Sequence, residues 1–336
     1  MSRLAFAFLG ALAALSALVI LALSVGRYPV SAGEIAALLS NYVTGSETGA
    51  DPTAQAVILD IRGPRIVAAI LIGAALAAAG AAYQNMFRNP LVSPDILGVS
   101  AGAAVGAVLG IFLSLNIIAI QLLAFAFGLG AVGLVYVTAS AVRGHDPLLV
   151  LVLAGVVIGA LLGACVALMK YLADPYNQLP AITFWLLGSL AAASGDDVWT
   201  IVPLVLASLV PMWLLRWRIN LLALDDEEAR ALGVSTGRIR LIVIAAATLM
   251  TSAAVAISGV VGWIGLVIPH FARMLVGPDF SRLLPTAIIL GAAFLLAVDT
   301  LARTVAQIEI PLGVLTAFVG TPLFLWQLAT ARRGWQ

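Results

Sequence analysis

The chain has 336 residues, of which 62% are hydrophobic and only 10% are charged, and its mean hydropathy is +1.12. A soluble globular fold cannot bury so much apolar surface, so the composition indicates that lipid is the main solvent. A formal net charge of +1 excludes the basic field that nucleic-acid binding needs. The single cysteine, Cys165, excludes an internal disulfide and a paired-cysteine metal site, and we expect it to be a small buried hydrophobe.

The first apolar segment, residues 4–25, follows Arg3 and has two interpretations. A secretory signal peptide is one, since the tripeptide ALS ending at Ser24 resembles a weak cleavage site. The run is longer than the roughly 7–15 residues of a signal-peptide core and matches the ~20 residues that span a bilayer. We therefore expect a retained membrane helix.

Apolar runs bounded by glycine, proline and charge predict about ten membrane-spanning helices. They cover residues 4–25, 57–84, 95–113, 117–141, 147–171, 196–215, 239–258, 260–275, 285–305 and 311–330. The run at 95–113 is rich in glycine and alanine, and the run at 260–275 is short and contains Pro269. A further helix, too short to cross, is expected at 181–190. Membrane barrels use alternating strands of ~10 residues, so we predict an all-α polytopic membrane protein with one transmembrane domain, 1–336.

The distribution of basic residues predicts the orientation. With the N-terminus inside, most of the 17 lysines and arginines fall at inner ends of the spans. The outer ends keep Arg27, Arg62, Arg65, Lys170 and Arg303. Loops rich in lysine and arginine stay on the cytoplasmic side. Both termini and the polar segment at about 217–238 are therefore predicted to be cytoplasmic.

That polar segment contains LDDEEARALGV, which sets four of the chain's 16 acids in a row: Asp225, Asp226, Glu227 and Glu228. Asp225 can cap a helix that starts at the next residue, and Glu228 stands where a capping box needs its second partner. Gly233 suits the end of such a helix. The pattern predicts a short helix with acids at its positive end.

The remaining residues of this helix divide into packing and free positions. Ala229, Leu232 and Val234 can pack on the bundle, while Arg230 and the acids stay free. A solvated loop is the alternative. A surface helix of this kind is suited to docking of another protein.

Two further polar segments interrupt the apolar runs. In RNPLVSPDILGVSAGA, residues 88–103, Pro90 and Pro94 forbid a continuous helix. Irregular backbone at a membrane edge is tolerated where protein encloses it or where it lines a cavity, although a plain turn is the alternative. The segment GVVGWIGLVIPHFARMLVGPD, residues 259–279, carries His270, which we expect to be a packing residue. His145 is expected to be solvated, and no carboxylate stands at metal-ligand spacing from either histidine, so no metal site is predicted.

Arginines at predicted outer ends have two interpretations. Arg62 and Arg65 flank Gly63-Pro64 in DIRGPR, and Arg303 ends another span. They either snorkel to the interface or meet carboxylates of a partner. Asp299 is the main intramembrane acid and is expected to pair with Arg303 one helical turn on.

Taken together, these segments resemble the permease subunits of the FecCD/BtuC-like family of ATP-binding-cassette (ABC) importers, over roughly residues 56–336. RNPLVSPDILGVSAGA is similar to the family's Asn-Pro-Leu stretch, FWLLGSL to its Trp-x-x-Gly-Ser segment and LDDEEARALGV to its cytoplasmic loop. GWIGLVIPHFARMLVGPDFSRLLP resembles its Gly-Leu-x-x-Pro-His-x-x-Arg signature. The sequence departs at Val92-Ser93, where alanine and an acid are usual, and at Trp263, where phenylalanine is common.

The resemblance implies a BtuC-like type II importer permease fold of about ten helices, in a bacterial or archaeal cytoplasmic membrane. It implies a working unit of two permeases, two cytoplasmic ATPases that bind ATP-Mg, and an extracytoplasmic binding protein. It also implies roles for particular residues: an ATPase coupling helix formed by Asp225, Asp226, Glu227, Glu228, Ala229, Arg230, Ala231, Leu232 and Gly233; a cytoplasmic gate at Asn89, Pro90 and Leu91; and binding-protein docking at Arg62, Arg65 and Arg303.

The chain has no GxxxxGK[ST] motif, so it is expected to bind no cofactor and to leave ATP hydrolysis to a separate subunit. An iron–siderophore is the first expectation for the substrate, with haem, cobalamin and molybdate or tungstate as alternatives. Two other classes stay open. A secondary transporter driven by an ion gradient would work alone and depend on Asp299, and a membrane scaffold or sensor would move no solute.

Overall fold

The structure is a computed structural model that describes residues 3–26, 28–31, 33–37, 40, 51–142 and 146–330, so Arg27 and His145 lie outside the described residues. No strand occurs among the residues it describes. In chain order, its helices are α1 Arg3–Ser24, α2 Pro52–Ala56, α3 Gly63–Met86, α4 Val99–Phe112, α5 Ile117–Ala141, α6 Pro147–Leu172, α7 Gln178–Leu187, α8 Gly195–Leu214, α9 Arg216–Asn220, α10 Asp226–Ala231, α11 Thr236–Ser258, α12 Ile264–Val276, α13 Phe280–Thr304 and α14 Leu312–Thr330. A π-helical turn, Val57–Arg62, joins α2 to α3, and 3-10 turns occur at Pro94–Leu97 and Leu221–Ala223.

Six helices in the described part of the chain are long and apolar enough to cross a membrane: Pro52–Met86, Ile117–Ala141, Pro147–Leu172, Gly195–Leu214, Thr236–Ser258 and Phe280–Thr304. These correspond to six of the predicted spans. The predicted spans near 4–25, 95–113, 260–275 and 311–330 fall on shorter apolar helices. The all-α membrane fold is confirmed, and the short helix expected at 181–190 is present as Gln178–Leu187.

Helix α3 forms the centre of the bundle, and every residue from Ile72 to Met86 is buried. Its small residues allow neighbouring backbones to come very close. Gly73 faces Gly291 of α13, and Gly80 faces Gly265 of α12, each at a distance that a β-carbon would not permit. In lipid such packing replaces the hydrophobic force that holds soluble helices together. Helix α6, by contrast, exposes most of its apolar side chains, as a lipid-facing helix does.

Helical structure is interrupted between α11 and α12, at residues 259–263. Gly259 has a φ of +68°, and Trp263 has a φ of +72° although it carries a side chain. The Ser258 carbonyl accepts a hydrogen bond from the Ser189 amide at 2.9 Å, so the break packs on the end of α7. Because α12 begins beside Gly80, partway along α3, this irregular backbone is enclosed by protein, as the membrane requires. The prediction that this span is short is confirmed, since α12 has 13 residues.

Candidate functional site

Helix α10, the acidic helix, spans Asp226–Ala231 and lies between α9 and α11 along the chain. Ala229 is fully buried and Val234 is 4% exposed, so these two positions pack as predicted. Leu232 was predicted to pack with them, and that is wrong: it is 56% exposed. Glu227 and Glu228 are also exposed. The helix therefore presents an outer face of acids beside one large apolar side chain.

The N-terminal end of the acidic helix differs from the prediction, whereas its C-terminal end agrees with it. Asp225 is the N-cap residue, but its side chain makes no capping hydrogen bond, so the predicted capping box is wrong. Its carboxylate accepts a hydrogen bond from Arg88 Nη1 at 2.6 Å instead, because the loop after α3 reaches this position. At the other end Gly233 has a φ of +80°, and its amide donates to the Arg230 carbonyl. Glycine favours this left-handed conformation, so the predicted helix end is confirmed.

Asp226 ties the acidic helix to α11. Its carboxylate accepts hydrogen bonds from Arg240 Nη2 at 2.5 Å and Nη1 at 3.0 Å. The side chain of Arg240 is only 13% exposed, so the pair lies in the seam between the two helices. The hydrogen bond from Arg240 is the main reason that the pKa of Asp226 lies below its ordinary value. Asp226 is thus an anchor and not part of the free acidic face.

Two asparagines attach the segment before the acidic helix to the bundle. Asn85, at the end of α3, donates from Nδ2 to the Ile219 carbonyl at 2.7 Å. Asn220 accepts a hydrogen bond from the Phe280 amide, at the start of α13, at 3.2 Å. Sequence reasoning missed both residues, because their partners lie far away along the chain. The only available signal was two amide side chains at the polar ends of apolar runs.

The three predicted gate residues lie in the loop that joins α3 to the 3-10 turn. The Asn89 side chain accepts a hydrogen bond from the Leu91 amide at 2.9 Å, which closes the turn. Leu91 is 51% exposed and Pro90 is buried. Through Arg88, which precedes them, these residues are connected to Asp225. The structure therefore brings the predicted gate loop and the predicted coupling helix together at one end of the bundle, the acidic-helix end.

The arginines Arg62, Arg65 and Arg303 meet at the opposite end, the arginine end. Arg62 donates to the carbonyls of Leu23 and Tyr28, the latter at 2.5 Å. Arg303 donates to the Ala22 carbonyl. Two arginines thus satisfy carbonyl groups at and beyond the end of α1, which a helix end otherwise leaves without partners.

Arg65 holds two acids. It binds Asp299 through Nε at 3.0 Å and Nη2 at 2.8 Å, and its Nη2 lies 2.7 Å from Glu309. The predicted pairing of Asp299 with Arg303 is weaker, since Arg303 Nε lies 3.9 Å away. Glu309 also accepts a hydrogen bond from Ser189 at 3.2 Å. Sequence reasoning missed Glu309, because its loop has no helical spacing to reveal the contact.

These contacts bear on the predicted docking role of the three arginines. Arg62 is 5% exposed, and the side chains of Arg65 and Arg303 are 11% and 12% exposed. Their charged groups are engaged by the chain's own carbonyls and carboxylates, and little of them is left for a partner. The role in docking stays a prediction, and the geometry favours an intramolecular one.

No group of three or more histidine, cysteine, aspartate or glutamate side chains that could hold a metal occurs in the part of the chain that the structure describes. His270, expected to be a packing residue, is 8% exposed within α12. Cys165, expected to be buried, is only partly buried, because α6 faces outward.

Comparisons with known proteins agree with the sequence resemblance. A sequence model of the FecCD transport family matches residues 14–330. The molybdate import system permease protein MolB of Haemophilus influenzae is 39% identical over 316 residues, which cover 94% of this chain and 93% of the relative. A protein of Helicobacter pylori, named "probable iron chelatin transport system permease protein", is 40% identical over 278 residues, which cover 82% of this chain and 83% of the relative.

A solved structure shows the same fold. It is described as an inward-facing conformation of an ABC transporter assigned to the metal-chelate type, and it is 36% identical to this chain. The two superpose with a TM-score of 0.87 over 96% of this chain and 98% of the other.

Proposed function

Because the chain belongs to the FecCD transport family, we propose that it is the membrane permease of a binding-protein-dependent ABC importer in which the acidic helix is the ATPase coupling helix. The observation that supports this most directly is the exposed face of α10. Glu227, Glu228 and Leu232 are exposed there, while Asp226 and Ala229 hold the helix to the bundle. A helix that is fixed on one side and exposes acids and a leucine on the other is suited to seating in a partner's cleft.

The attachments of the acidic helix supply a route for force. Asp225 joins the predicted gate loop through Arg88, and Asp226 joins α11 through Arg240. Asn85 joins the preceding segment to the central helix α3. A displacement of the acidic helix by a closing ATPase dimer would therefore move the gate loop, α11 and α3. This movement is how ATP binding would drive alternating access.

The proposed assembly contains two copies of the permease, two cytoplasmic ATPases and one extracytoplasmic binding protein. ATP-Mg would bind the ATPases, since the sequence carries no GxxxxGK[ST] nucleotide-binding motif. The acidic-helix end and both termini would then face the cytoplasm. The rival reading as an ion-driven carrier needs Asp299 free to bind and release a cation, whereas Arg65 holds that carboxylate through several hydrogen bonds.

The proposed substrate is a metal chelate, with an iron–siderophore as the first candidate and haem or cobalamin as further ones. Molybdate is the second candidate, because the similarity to a molybdate permease extends over 94% of this chain. Uptake into proteoliposomes that contain the reconstituted complex and a loaded binding protein would separate them. Labelled ferric siderophore and labelled molybdate would be offered in parallel.

The experiment for the coupling role is affinity purification of the tagged permease from its own membranes, with nucleotide hydrolysis assayed in the eluate. We expect an ATPase to co-purify with the parent chain and to be lost with Glu228→Arg. Asp196→Arg, an exposed acid at the opposite end, is the matched control and should retain the ATPase. Retention of full hydrolysis by Glu228→Arg would contradict the coupling role. A parent chain that purifies alone would favour the carrier.

Docking of a binding protein at Arg62, Arg65 and Arg303 is a separate part of the proposal. Charge reversal at Arg62 and Arg65 should weaken docking and reduce its dependence on salt. Because both side chains are largely buried, each variant must first be shown to keep its helical content. Folded double variants that dock with unchanged affinity would remove the docking role.

A further inference from the structure

A cavity of about 950 Å³ lies at the acidic-helix end. Its walls come from the end of α3, the segment 220–224, the end of α12 and the turn that follows α12. Asn85, Arg88, Pro90 and Asn220, which have been described above, contribute to these walls, but no role has been given to Arg273 or to the space itself. Its size is within the range of small-molecule sites, which are typically about 300–1,000 Å³.

The cavity contains one arginine without a counter-ion. Three charged residues line it: Arg88, Arg273 and Asp279. Arg88 is paired with Asp225. Asp279 accepts a hydrogen bond from the Ser281 amide at 2.9 Å and lies 3.6 Å from Arg282. For Arg273, no ion pair is formed with any residue that the structure describes.

Arg273 also lacks hydrogen-bond partners. Its Nε and Nη2 atoms are buried, and neither donates to an acceptor among the described residues. Two other atoms of lining residues, His270 Nδ1 and Gln84 Oε1, are also buried and have no hydrogen-bond partner among the described residues, although Gln84 Nε2 donates to the Leu266 carbonyl at 3.0 Å. Buried polar groups nearly always have partners, so three unpaired groups beside one cavity point to a missing ligand.

The chemistry of these groups indicates the class of ligand. A guanidinium group binds phosphate-type oxyanions through two parallel hydrogen bonds, so Arg273, whose Nε and Nη2 atoms are buried without acceptors among the described residues, favours an anion. Gln84 Oε1 only accepts hydrogen bonds, so it suits a donor on an organic substituent and not the oxyanion itself. Basic pockets between membrane helices on the cytoplasmic side bind lipid headgroups. The cavity is much larger than a bare oxyanion needs, and Leu224 and Met274 add apolar surface to it. These features fit a phosphate group that carries an organic substituent.

We propose that this cavity binds a phosphate-type oxyanion and that Arg273 is its principal ligand. The Nε and Nη2 atoms are covered by protein, so binding involves rotation of the Arg273 side chain into the adjoining space. The oxyanion comes either from the headgroup of an acidic phospholipid or from a free ion in the cytoplasm. The inference concerns ligand binding by the permease and does not depend on which substrate is transported.

The test uses the purified full-length permease in lipid nanodiscs. One set contains phosphatidylcholine alone, another adds phosphatidylglycerol, and a third adds inorganic phosphate to phosphatidylcholine discs. Thermal melting is measured in each, and native mass spectrometry after mild detergent extraction counts the retained phospholipids. The variants are Arg273→Gln, which removes the charge, and Met274→Trp, which adds a bulky side chain to the cavity wall beside the arginine and leaves the arginine in place. Arg238→Gln is the matched control, since this exposed arginine lies outside the cavity.

For a lipid headgroup, we expect phosphatidylglycerol to raise the melting temperature of the unsubstituted permease and of Arg238→Gln. Both cavity variants should bind it about tenfold more weakly or worse, because charge-assisted hydrogen bonds are lost or blocked. For a free oxyanion, phosphate alone produces the same pattern in phosphatidylcholine discs. Either pattern supports the proposal and identifies the source. Equal shifts in the parent and in both cavity variants, or no shift with either anion, would overturn it.

Discussion

The two polar ends of the bundle contain the same kinds of side chain in opposite settings. At the arginine end, the side chains of Arg65 and Asp299 are 11% and 0% exposed, and Arg65 donates hydrogen bonds to both Asp299 and Glu309. At the acidic-helix end, Arg88 and Asp225 are 37% and 78% exposed. A buried charge must be paired within the fold, whereas an exposed charge keeps its water and can exchange it for a partner.

This difference shows that charge in a membrane protein does not by itself mark an interaction surface. The sequence presents both ends as polar interruptions of apolar runs. Burial separates them, since the arginine end fastens α1, α3 and α13 to one another, while four of the six residues of the acidic helix are exposed. Four predictions test this distinction, in decreasing order of expected effect.

The largest effect is expected for Arg65→Ala. It leaves the fully buried Asp299 with only the distant Arg303, 3.9 Å away. Loss of one partner of a buried ion pair destabilises by about 3–5 kcal/mol. The melting temperature of the purified permease should therefore fall strongly. The double variant Arg65→Leu with Asp299→Leu should recover much of the loss, and failure of Arg65→Ala to lower the melting temperature would show that the cluster is not structural.

Asn85→Ala is expected to have the second largest effect. It removes a buried hydrogen bond of 2.7 Å and leaves the Ile219 carbonyl without that donor. An unsatisfied buried group costs about 1–3 kcal/mol. If the attachment transmits force, the ratio of transport to ATP hydrolysis should fall further than stability does. A variant with reduced stability and an unchanged ratio would limit Asn85 to a structural role.

The Asp226–Arg240 pair should give a smaller effect, of about 1 kcal/mol, that depends on pH. Because Arg240 lowers the pKa of Asp226 below 3.8, the pair stabilises fully above the unfolded pKa and this stabilisation is lost as the pH falls through the folded pKa. Attachment of the acidic helix should therefore be constant from about pH 5 to 8 and weaken below about pH 4. Hydrogen exchange of residues 226–231 measures this. Asp226→Asn should show weak protection at every pH, and a transition near neutral pH would contradict the assignment.

The smallest stability effect is expected for Arg88→Ala. Its ion pair with Asp225 is exposed, and such pairs contribute about 0–1 kcal/mol. The melting temperature should hardly change, and added salt should reduce even that change. A loss as large as that of Arg65→Ala would break the comparison between the two ends.

Much of the fold was predictable because lipid imposes simple rules on composition. A membrane helix must be apolar over ~20 residues, so the spans at 117–141 and 147–171 could be read within a residue or two of Ile117–Ala141 and Pro147–Leu172. Glycine and proline set the other limits. Gly233 ends the acidic helix as expected, and Pro269 accompanies a short α12.

Pairing between distant residues was not predictable to the same degree. Local spacing suggested Asp299 with Arg303 and Asp225 with Glu228, and in both cases a residue more than 100 positions away is the closer partner. A guanidinium group reaches any acid that packing brings near it. Leu232 failed for a related reason, because six residues of helix offer too little periodicity to show which side faces the bundle.

The sequence by itself determined that this protein is a helical membrane bundle with one short acidic helix and several polar breaks. It could do so because the cost of placing polar groups in lipid acts on every residue locally. Only the tertiary structure decided which charged side chains are buried and paired within the protein and which remain exposed. That outcome depends on how α3, α11 and α13 approach one another, and their approach is set by contacts such as Gly73 with Gly291 that join distant parts of the chain.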